Sequence, residues 1–434
     1  MHIAVIGAGY VGLVTGVSLA DAGGHEVTLV ERSPERFREL AAGRMPISEP
    51  GLAEAFSRTA SSIRVVQHVH QIASPDLVFV CVGTPVGEDG QPDLSQLDSV
   101  MADLRVHKEW HVSVRSTLPP GISNRLPDLL HRTDSSRLST NPEFLKQGSA
   151  LRDYAHPDRI VIGQFEDTSE EHLRLVDQVI SEIDAPRVRV SVAAAELIKN
   201  VANGFLALKL SFVNEVASLA EAYDVEVDEI LSGIAPDPRI GSAYMGPGLG
   251  FGGSCLPKEL EILAIAGRRR GLPMHVARAA AQVNQEQMDR FVARVLDEMP
   301  GAGARIGLLG LSFKAFTDDV RGSPAVYVAR RLLREGHEVI AYDPAVSATM
   351  AGHAVPGIQL AMNEMGVFRG ANAVVIATDW PQFQKVDLGK ALRVVAQPLI
   401  FDGRNLLDPD SVVSAGFVYA GVGRRSRRPA NAGR

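Results

Sequence analysis

The 434-residue chain predicts an α/β protein, two doubly wound domains joined by a central helical region with one long helix. Three observations carry that prediction. Short continuous apolar runs alternate with helical patterns up to about residue 190, as in a parallel sheet covered on both faces. From 193 to 223 apolar residues recur at helical spacing, with neither Pro nor a strand breaker among them. After Pro300-Gly301-Ala302-Gly303 the strand–helix alternation resumes. The segments are therefore 1–190, 191–300 and 301–423, followed by a basic stretch, 424–434, expected to be a solvated, disordered tail.

In the first segment, strands are expected at 3–6, 27–30, 77–82, 112–114 and 160–162. Residues 3–20 carry no charge and could pass for a membrane span. No basic region precedes them, and Gly9-Tyr10-Val11-Gly12 cuts the run where a turn belongs, so strand, turn and buried helix explain it better. In the central segment, Gly204 interrupts the long helix at a cost of roughly 1 kcal/mol relative to Ala, which predicts a close packing contact. Further helices are expected at 226–232 and across 258–299, with a Gly- and Pro-rich loop at 236–253, long enough to suggest function. The last segment predicts strands at 306–309, 339–342, 373–376 and 399–401.

Composition narrows the function classes. A net charge of −7 argues against general nucleic-acid binding. Cys81 and Cys255 lie far apart, which excludes a disulfide framework or zinc knuckle and fits a reducing, cytoplasmic setting. His107 and His111 with Glu109 lack the order of a metal helix, and His68 and His70 could share one strand face without further ligands; no metal site is expected.

Gly7-Ala8-Gly9-Tyr10-Val11-Gly12 follows a strand and opens a helix, the setting of a Rossmann-like dinucleotide fingerprint. Gly7 permits the turn, Gly9 admits the pyrophosphate and Gly12 lets helix and sheet approach, while the helix N-terminus attracts the anion. Glu31 ends the next strand, 19 residues after Gly12, and a carboxylate there accepts from a ribose 2′-hydroxyl and repels a 2′-phosphate. NAD is the expected cofactor. Arg36 is read either as an adenosine contact or as a solvated helix residue.

Cys255 lies in Gly252-Gly253-Ser254-Cys255-Leu256-Pro257-Lys258. A thiolate can hold an aldehyde as a thiohemiacetal, which loses a hydride to become a thioester that water then opens. With a hydride acceptor on the same chain, this suggests oxidation of an alcohol to an acid. A helix starting near Leu256 and the nearby Lys258 would favour the thiolate. The alternative, a structural cysteine, suits Cys81 in its apolar strand better than Cys255 in a glycine-rich loop.

Together these and further segments, Glu49-Pro50-Gly51, Val82-Gly83-Thr84-Pro85, Arg115-Ser116-Thr117, Asn141-Pro142-Glu143-Phe144-Leu145, Glu196-Leu197-Ile198-Lys199 with Asn203, Phe313-Lys314 with Thr317-Asp318-Asp319-Val320-Arg321, and Asp402-Gly403-Arg404-Asn405, resemble the nucleotide-sugar dehydrogenases. The UDP-glucose branch is the nearest, on Glu88-Asp89-Gly90 and His156-Pro157-Asp158-Arg159-Ile160 among others. The resemblance implies that a UDP-sugar plus two NAD and water gives the sugar acid and two NADH. It implies Cys255 as nucleophile, Lys199 and Asn203 as oxyanion donors, Glu143 as the base for hydrolysis, and Thr117 with Glu259 as positioners of water. Lys199 and Asn203 are four apart and so share a helix face, and the neighbours Leu197, Ile198 and Val201 suggest an apolar setting. Besides the fingerprint residues, Tyr10 and Val11 among them, Thr84, Thr117, Gln147, Lys258 and Arg321 are implied to meet the cofactor. Phe144, Leu145 and Lys146, with Glu143, Lys199 and Asn203, are implied to line the sugar nucleotide. So are Tyr244, Met245, Gly246, Pro247, Gly248 and Gly252, with Lys314 and Arg404 serving phosphate and sugar oxygens. Arg239 resembles an arginine that crosses to a neighbouring subunit's substrate, which implies a homodimer or larger, with the long helix as a seam.

Three positions depart from the family pattern: Glu259 stands for Asp, Gln147 for Glu, and Ser48 for Tyr before Glu49-Pro50-Gly51. They leave room for another sugar nucleotide, such as GDP-mannose or a UDP-N-acetylhexosamine, and for a catalytically silent NAD-binding regulator.

Overall fold

The computed structural model describes residues 1–85, 87 and 92–429, so Glu88-Asp89-Gly90 and residues 430–434 lie outside the described residues. The chain divides into two compact units, Met1–Ala202 and Asn203–Arg434. Among its described residues the first holds eight strands: β1 His2–Ile6, β2 Glu26–Val30, β3 Ile63–Val66, β4 Leu77–Val80, β5 Val112–Val114, β6 Leu138–Thr140, β7 Ile160–Gln164 and β8 Arg187–Ser191. They form one sheet in the order β3-β2-β1-β4-β5-β6-β7-β8. Neighbours are parallel except β6 and β7, which run antiparallel. The order reverses between β1 and β4, so the loops leaving their carboxyl ends open a crevice there. Ile3, Val5, Leu77 and Phe79 are fully buried between helical layers, as their continuous apolar runs require. The uncharged run at 3–20 resolves into β1, a turn and the helix Tyr10–Asp21. Among the described residues no helix is long and apolar enough to cross a membrane.

The long helix is Val192–Ala222. A Cβ on Gly204 would stand 2.6 Å from Leu263 Cδ1, the close contact expected there. The helical stretch expected across 258–299 is two helices, Leu256–Arg269 and His275–Asp297. Gly271 and Met274, both at positive φ, turn the chain between them, and Pro273 stops the first from continuing. The second unit's sheet comprises β9 Arg305–Leu309, β10 Glu338–Tyr342, β11 Gln359–Leu360, β12 Ala373–Ile376, β13 Leu399–Asp402 and β14 Val418–Gly421. Its order is β11-β10-β9-β12-β13-β14, parallel throughout. This is a second Rossmann-like sheet with the same reversal beside its first strand.

Two expectations are corrected. The basic stretch does not begin as a free tail at 424. Arg424 pairs with Asp228 at 2.8 Å, Arg425 with Asp224 at 3.2 Å, Arg427 with Glu226 at 3.2 Å and Arg428 with Glu298 at 3.4 Å. Arg427 also bridges Tyr419 backbone to backbone. Acids just past the end of the long helix, at 224, 226 and 228, and Glu298 after the helix His275–Asp297 give these cations fixed partners. Nor do His68 and His70 share a strand face, because His68 caps the short turn Val69–Gln71 and the two rings stack at 5.3 Å. His107 stacks on Trp110, and His111 meets buried His172 ring to ring.

Candidate active site

The dinucleotide cradle is shaped by its glycines. Gly7 has φ +97°, and a Cβ on Gly12 would lie 1.9 Å from Gly7 O, so only glycine allows the helix Tyr10–Asp21 to start this close to β1. Gly9 faces open space, with nothing within 4 Å of its Cβ position. Glu31 follows β2, is buried, and accepts from Ser33 N at 2.8 Å. Arg36 folds back over the cradle, donating to Ala8 O at 2.8 Å and lying 3.8 Å from Glu31. An open glycine floor, a helix N-terminus and a carboxylate at the end of β2 are what a bound NAD needs. Thr84 Oγ1 donates to Thr117 O at 2.6 Å, tying together the loops after β4 and β5 on the crevice wall.

Glu143 follows β6 and Lys199 lies in the second turn of the long helix. Both are buried, and Lys199 Nζ stands 3.3 Å from Glu143 Oε1. Glu143 also accepts from Leu145 N at 2.6 Å. The Phe144 ring lies between two cations, with Arg159 at 3.8 Å and Lys199 at 5.2 Å from its centroid. The sequence reading of the Lys199 setting is corrected here. Leu197 and Val201 are 44% and 52% exposed while Ile198 is half-buried, and the Phe144 ring adds apolar surface beside Lys199. Asn203 follows one helical turn later and is half-buried. Lys146 is exposed and bound to Asp153 at 3.2 Å, and Gln147 is half-buried.

In the second unit, Cys255 is exposed and caps the helix Leu256–Arg269. Cys81 is buried, and burial pushes its thiol up to about 12. Lys258 stands in the first turn after Cys255, 3.7 Å from Glu259, which is buried. The loop before Cys255 is packed against residues 321–324. A Cβ on Gly252 would be 2.2 Å from Gly322 O, and Gly253 N donates to Arg321 O at 3.1 Å. Arg321 grips Asp319, a hydrogen bond that raises its pKa above the usual value, and it lies within electrostatic range of Cys255.

The loop Tyr244 to Gly248 enters with Tyr244 at φ +58°, and Met245, Pro247 and Gly248 are buried while Gly246 is open. Lys314 lies over the Phe313 ring at 5.8 Å. Arg404 donates to Ala377 O, Gly250 O and Phe313 O at 2.8, 3.2 and 3.0 Å. It therefore braces the Cys255 loop against the ends of two strands, a role sequence reasoning missed. Arg239 is 87% exposed along its side chain and is held by Asp237.

Other supports were also missed. Glu49 is buried and accepts from Tyr10 Oη, from Gly148 N at 2.6 Å and from Ala150 N at 2.8 Å, linking the cradle to the Glu143 loop. Glu196 accepts from Gly121 N and from Ser123 N at 2.7 Å, and Asn200 Nδ2 donates to Leu118 O at 3.2 Å. Burial pushes the Glu196 carboxyl up. One face of the long helix thus holds the loop that carries Thr117. Only a buried carboxylate beside Lys199 could have signalled this in sequence, and a helix glutamate looks the same when solvated.

Residues 1–181 match the NAD binding domain of the UDP-glucose/GDP-mannose dehydrogenase family, 193–286 its central domain and 307–409 its UDP binding domain. A UDP-glucose 6-dehydrogenase of Bacillus subtilis, YwqF, is 34% identical over 443 residues, covering all of both chains. The structure of a UDP-glucose dehydrogenase from Pyrobaculum islandicum superposes with a TM-score of 0.88 at 34% identity, covering 98% of each chain. That of a UDP-D-ManNAc dehydrogenase from Pyrococcus horikoshii superposes with a TM-score of 0.85 at 26% identity, covering 98% of this chain and 99% of the other.

Proposed function

We propose that this chain, which belongs to the UDP-glucose/GDP-mannose dehydrogenase family, oxidises the C6 alcohol of UDP-glucose to the carboxylate with two NAD and one water. The observation that carries the reading is the contrast between two thiols, Cys81 sealed in a core and Cys255 exposed at the head of a helix on a braced loop. Full-length similarity to enzymes named for UDP-glucose supports the substrate.

NAD, held by the glycine floor and Glu31, supplies a hydride acceptor for each of the two oxidations. The chain's own groups manage charge and protons. Lys199 and Asn203 stabilise the alkoxide and then the oxyanion of the thiohemiacetal, as preorganised donors in a dry site do. The C6 alcohol loses its O–H proton to water and its hydride to the bound acceptor to give the aldehyde, and the Cys255 thiolate adds to that carbon, forming a C–S bond as the carbonyl π pair moves onto oxygen. The second hydride leaves that carbon, and the adduct becomes a thioester. Glu143 takes a proton from water, which attacks the thioester carbonyl and expels the thiolate. Glu143 remains in an intact segment, 141–145, so hydrolysis is expected to proceed although Glu259 stands for the family's aspartate and Gln147 for its glutamate.

The test is a product count across UDP-glucose, a UDP-N-acetylhexosamine and GDP-mannose. Two NADH per UDP-glucose with free glucuronate is the expected result, and Cys255→Ser should bind substrate yet form no acid. One NADH per sugar would leave a simple alcohol dehydrogenase, and none across the panel would leave an NAD-binding regulator. Preferred turnover of the N-acetylated sugar would move the enzyme to the branch of the Pyrococcus horikoshii protein.

A further inference from the structure

Residues 246–253 belong to neither helix nor strand, so their backbone groups need partners from elsewhere. Three buried side-chain amides provide them. Asn284 pairs with Phe251 twice, accepting from Phe251 N at 2.8 Å and donating to Phe251 O at 3.0 Å. Gln287, one turn further along His275–Asp297, donates to Gly248 O at 2.8 Å. Asn214, on the long helix, accepts from Gly248 N at 2.9 Å. Gly250, between the two anchored residues, has φ +114°, and a Cβ there would fall 2.7 Å from Asn284 Oδ1.

We propose that Asn284 is a positioning residue for the nucleophile, and that Gln287 and Asn214 are positioning residues for the sugar-nucleotide loop. The inference rests on Cys255 being the nucleophile. A primary amide offers a donor and an acceptor side by side, so Asn284 holds Phe251 as a neighbouring strand would. Phe251 is four residues before Cys255, and Gly252 and Gly253 between them are packed against residues 321–324. Gly248 instead closes the segment Tyr244 to Gly248. The two anchors therefore govern two different functions, divided at Gly250. An ångström of displacement at a reacting atom costs on the order of a hundredfold in rate.

The experiment compares Asn284→Asp and Asn284→Ala with Gln287→Ala and Asn214→Ala in the full-length enzyme, using UDP-glucose and NAD. Asn284→Asp keeps the acceptor and loses the donor, so it carries the test should Asn284→Ala unfold. In the Asn284 variants kcat is expected to fall by roughly ten- to a hundredfold. Their KM for UDP-glucose should hold near the wild-type value, and the rate of Cys255 alkylation by iodoacetamide should change. Gln287→Ala and Asn214→Ala should show the opposite split, a raised KM with kcat nearly kept. Equal loss in both parameters for all variants, or unchanged alkylation with unchanged kcat in Asn284→Asp, overturns the inference. Cys255→Ser separates the two ideas. If it still forms acid, the nucleophile reading itself fails; if it is dead while Asn284→Asp turns over normally, only the positioning role fails.

Discussion

Lys199 and Glu143 illustrate how a residue's chemistry depends on what removes it from water. They are far apart in sequence, both buried, and 3.3 Å from each other. Removing one member of such a pair leaves an uncompensated charge, whereas replacing both by apolar groups removes the problem. Lys199→Ala is expected to destabilise the protein by about 3–5 kcal/mol, and Lys199→Met with Glu143→Leu to restore most of that. Urea unfolding measures both. Acid formation should be abolished in the single and the double variant alike, which separates the pair's proposed catalytic role from its structural one. Equal stability of Lys199→Ala and wild type would show that the pair opens to solvent. The two residue types were legible in sequence through their motifs, but their pairing was not. It depends on the antiparallel excursion through β7 and β8, which brings the chain back to the long helix behind Glu143.

At the scale of elements, glycines mark where loops and helices press on a neighbour, and the nature of that neighbour sets the cost of a side chain. At Gly252 the wall is backbone, Gly322 O, with the Pro324 ring close behind. At Gly204 it is the terminal methyl of Leu263, which can rotate away. Gly252→Ala is therefore expected to cost about 1–3 kcal/mol and most of the activity, since overpacking shifts the Cys255 loop. Gly204→Ala should stay within about 1 kcal/mol of wild type, helix propensity offsetting the rearranged leucine. Thermal unfolding and turnover of the two variants side by side give the comparison, and similar losses in both would contradict it. The same scale shows why some strands were legible and others were not. Central strands such as β1 and β4 are covered on both faces and read as unbroken apolar runs. β3, β8, β11 and β14 are the four sheet edges. Arg64 in β3, and Arg187 with Arg189 in β8, break up the apolar pattern there. β6 is interior yet reads Leu-Ser-Thr, because Ser139 is satisfied inside the core by Ser113 and His172. The amides on Gly248 and Phe251 left no local signature, since Asn284 and Gln287 look like ordinary helix residues.

For the whole molecule, the long helix carries an exposed apolar stripe. Phe205, Phe212 and Leu219 are 60%, 56% and 57% exposed and recur every seventh residue, and Tyr223, 75% exposed, continues the stripe just past the helix end. Isolated exposed apolar residues are ordinary, but a stripe in register along three turns and more is the mark of an interface. A second copy of the chain would pair it with itself. Arg239 fits the same account, since among the described residues it pairs with Asp237 and its side chain is 87% exposed. Phe205→Glu with Phe212→Glu is expected to give monomers by light scattering where the parent chain gives dimers or larger species. The monomer should keep its NAD affinity, because the glycine cradle and Glu31 are built wholly within residues 1–36 and the loops beside them. Its turnover of UDP-glucose should fall at least tenfold if Arg239 acts across the interface, matched by Arg239→Ala in the intact assembly. A parent chain that is monomeric and fully active at micromolar concentration would remove both the seam and the crossing arginine, and would leave the stripe to be explained by some other partner.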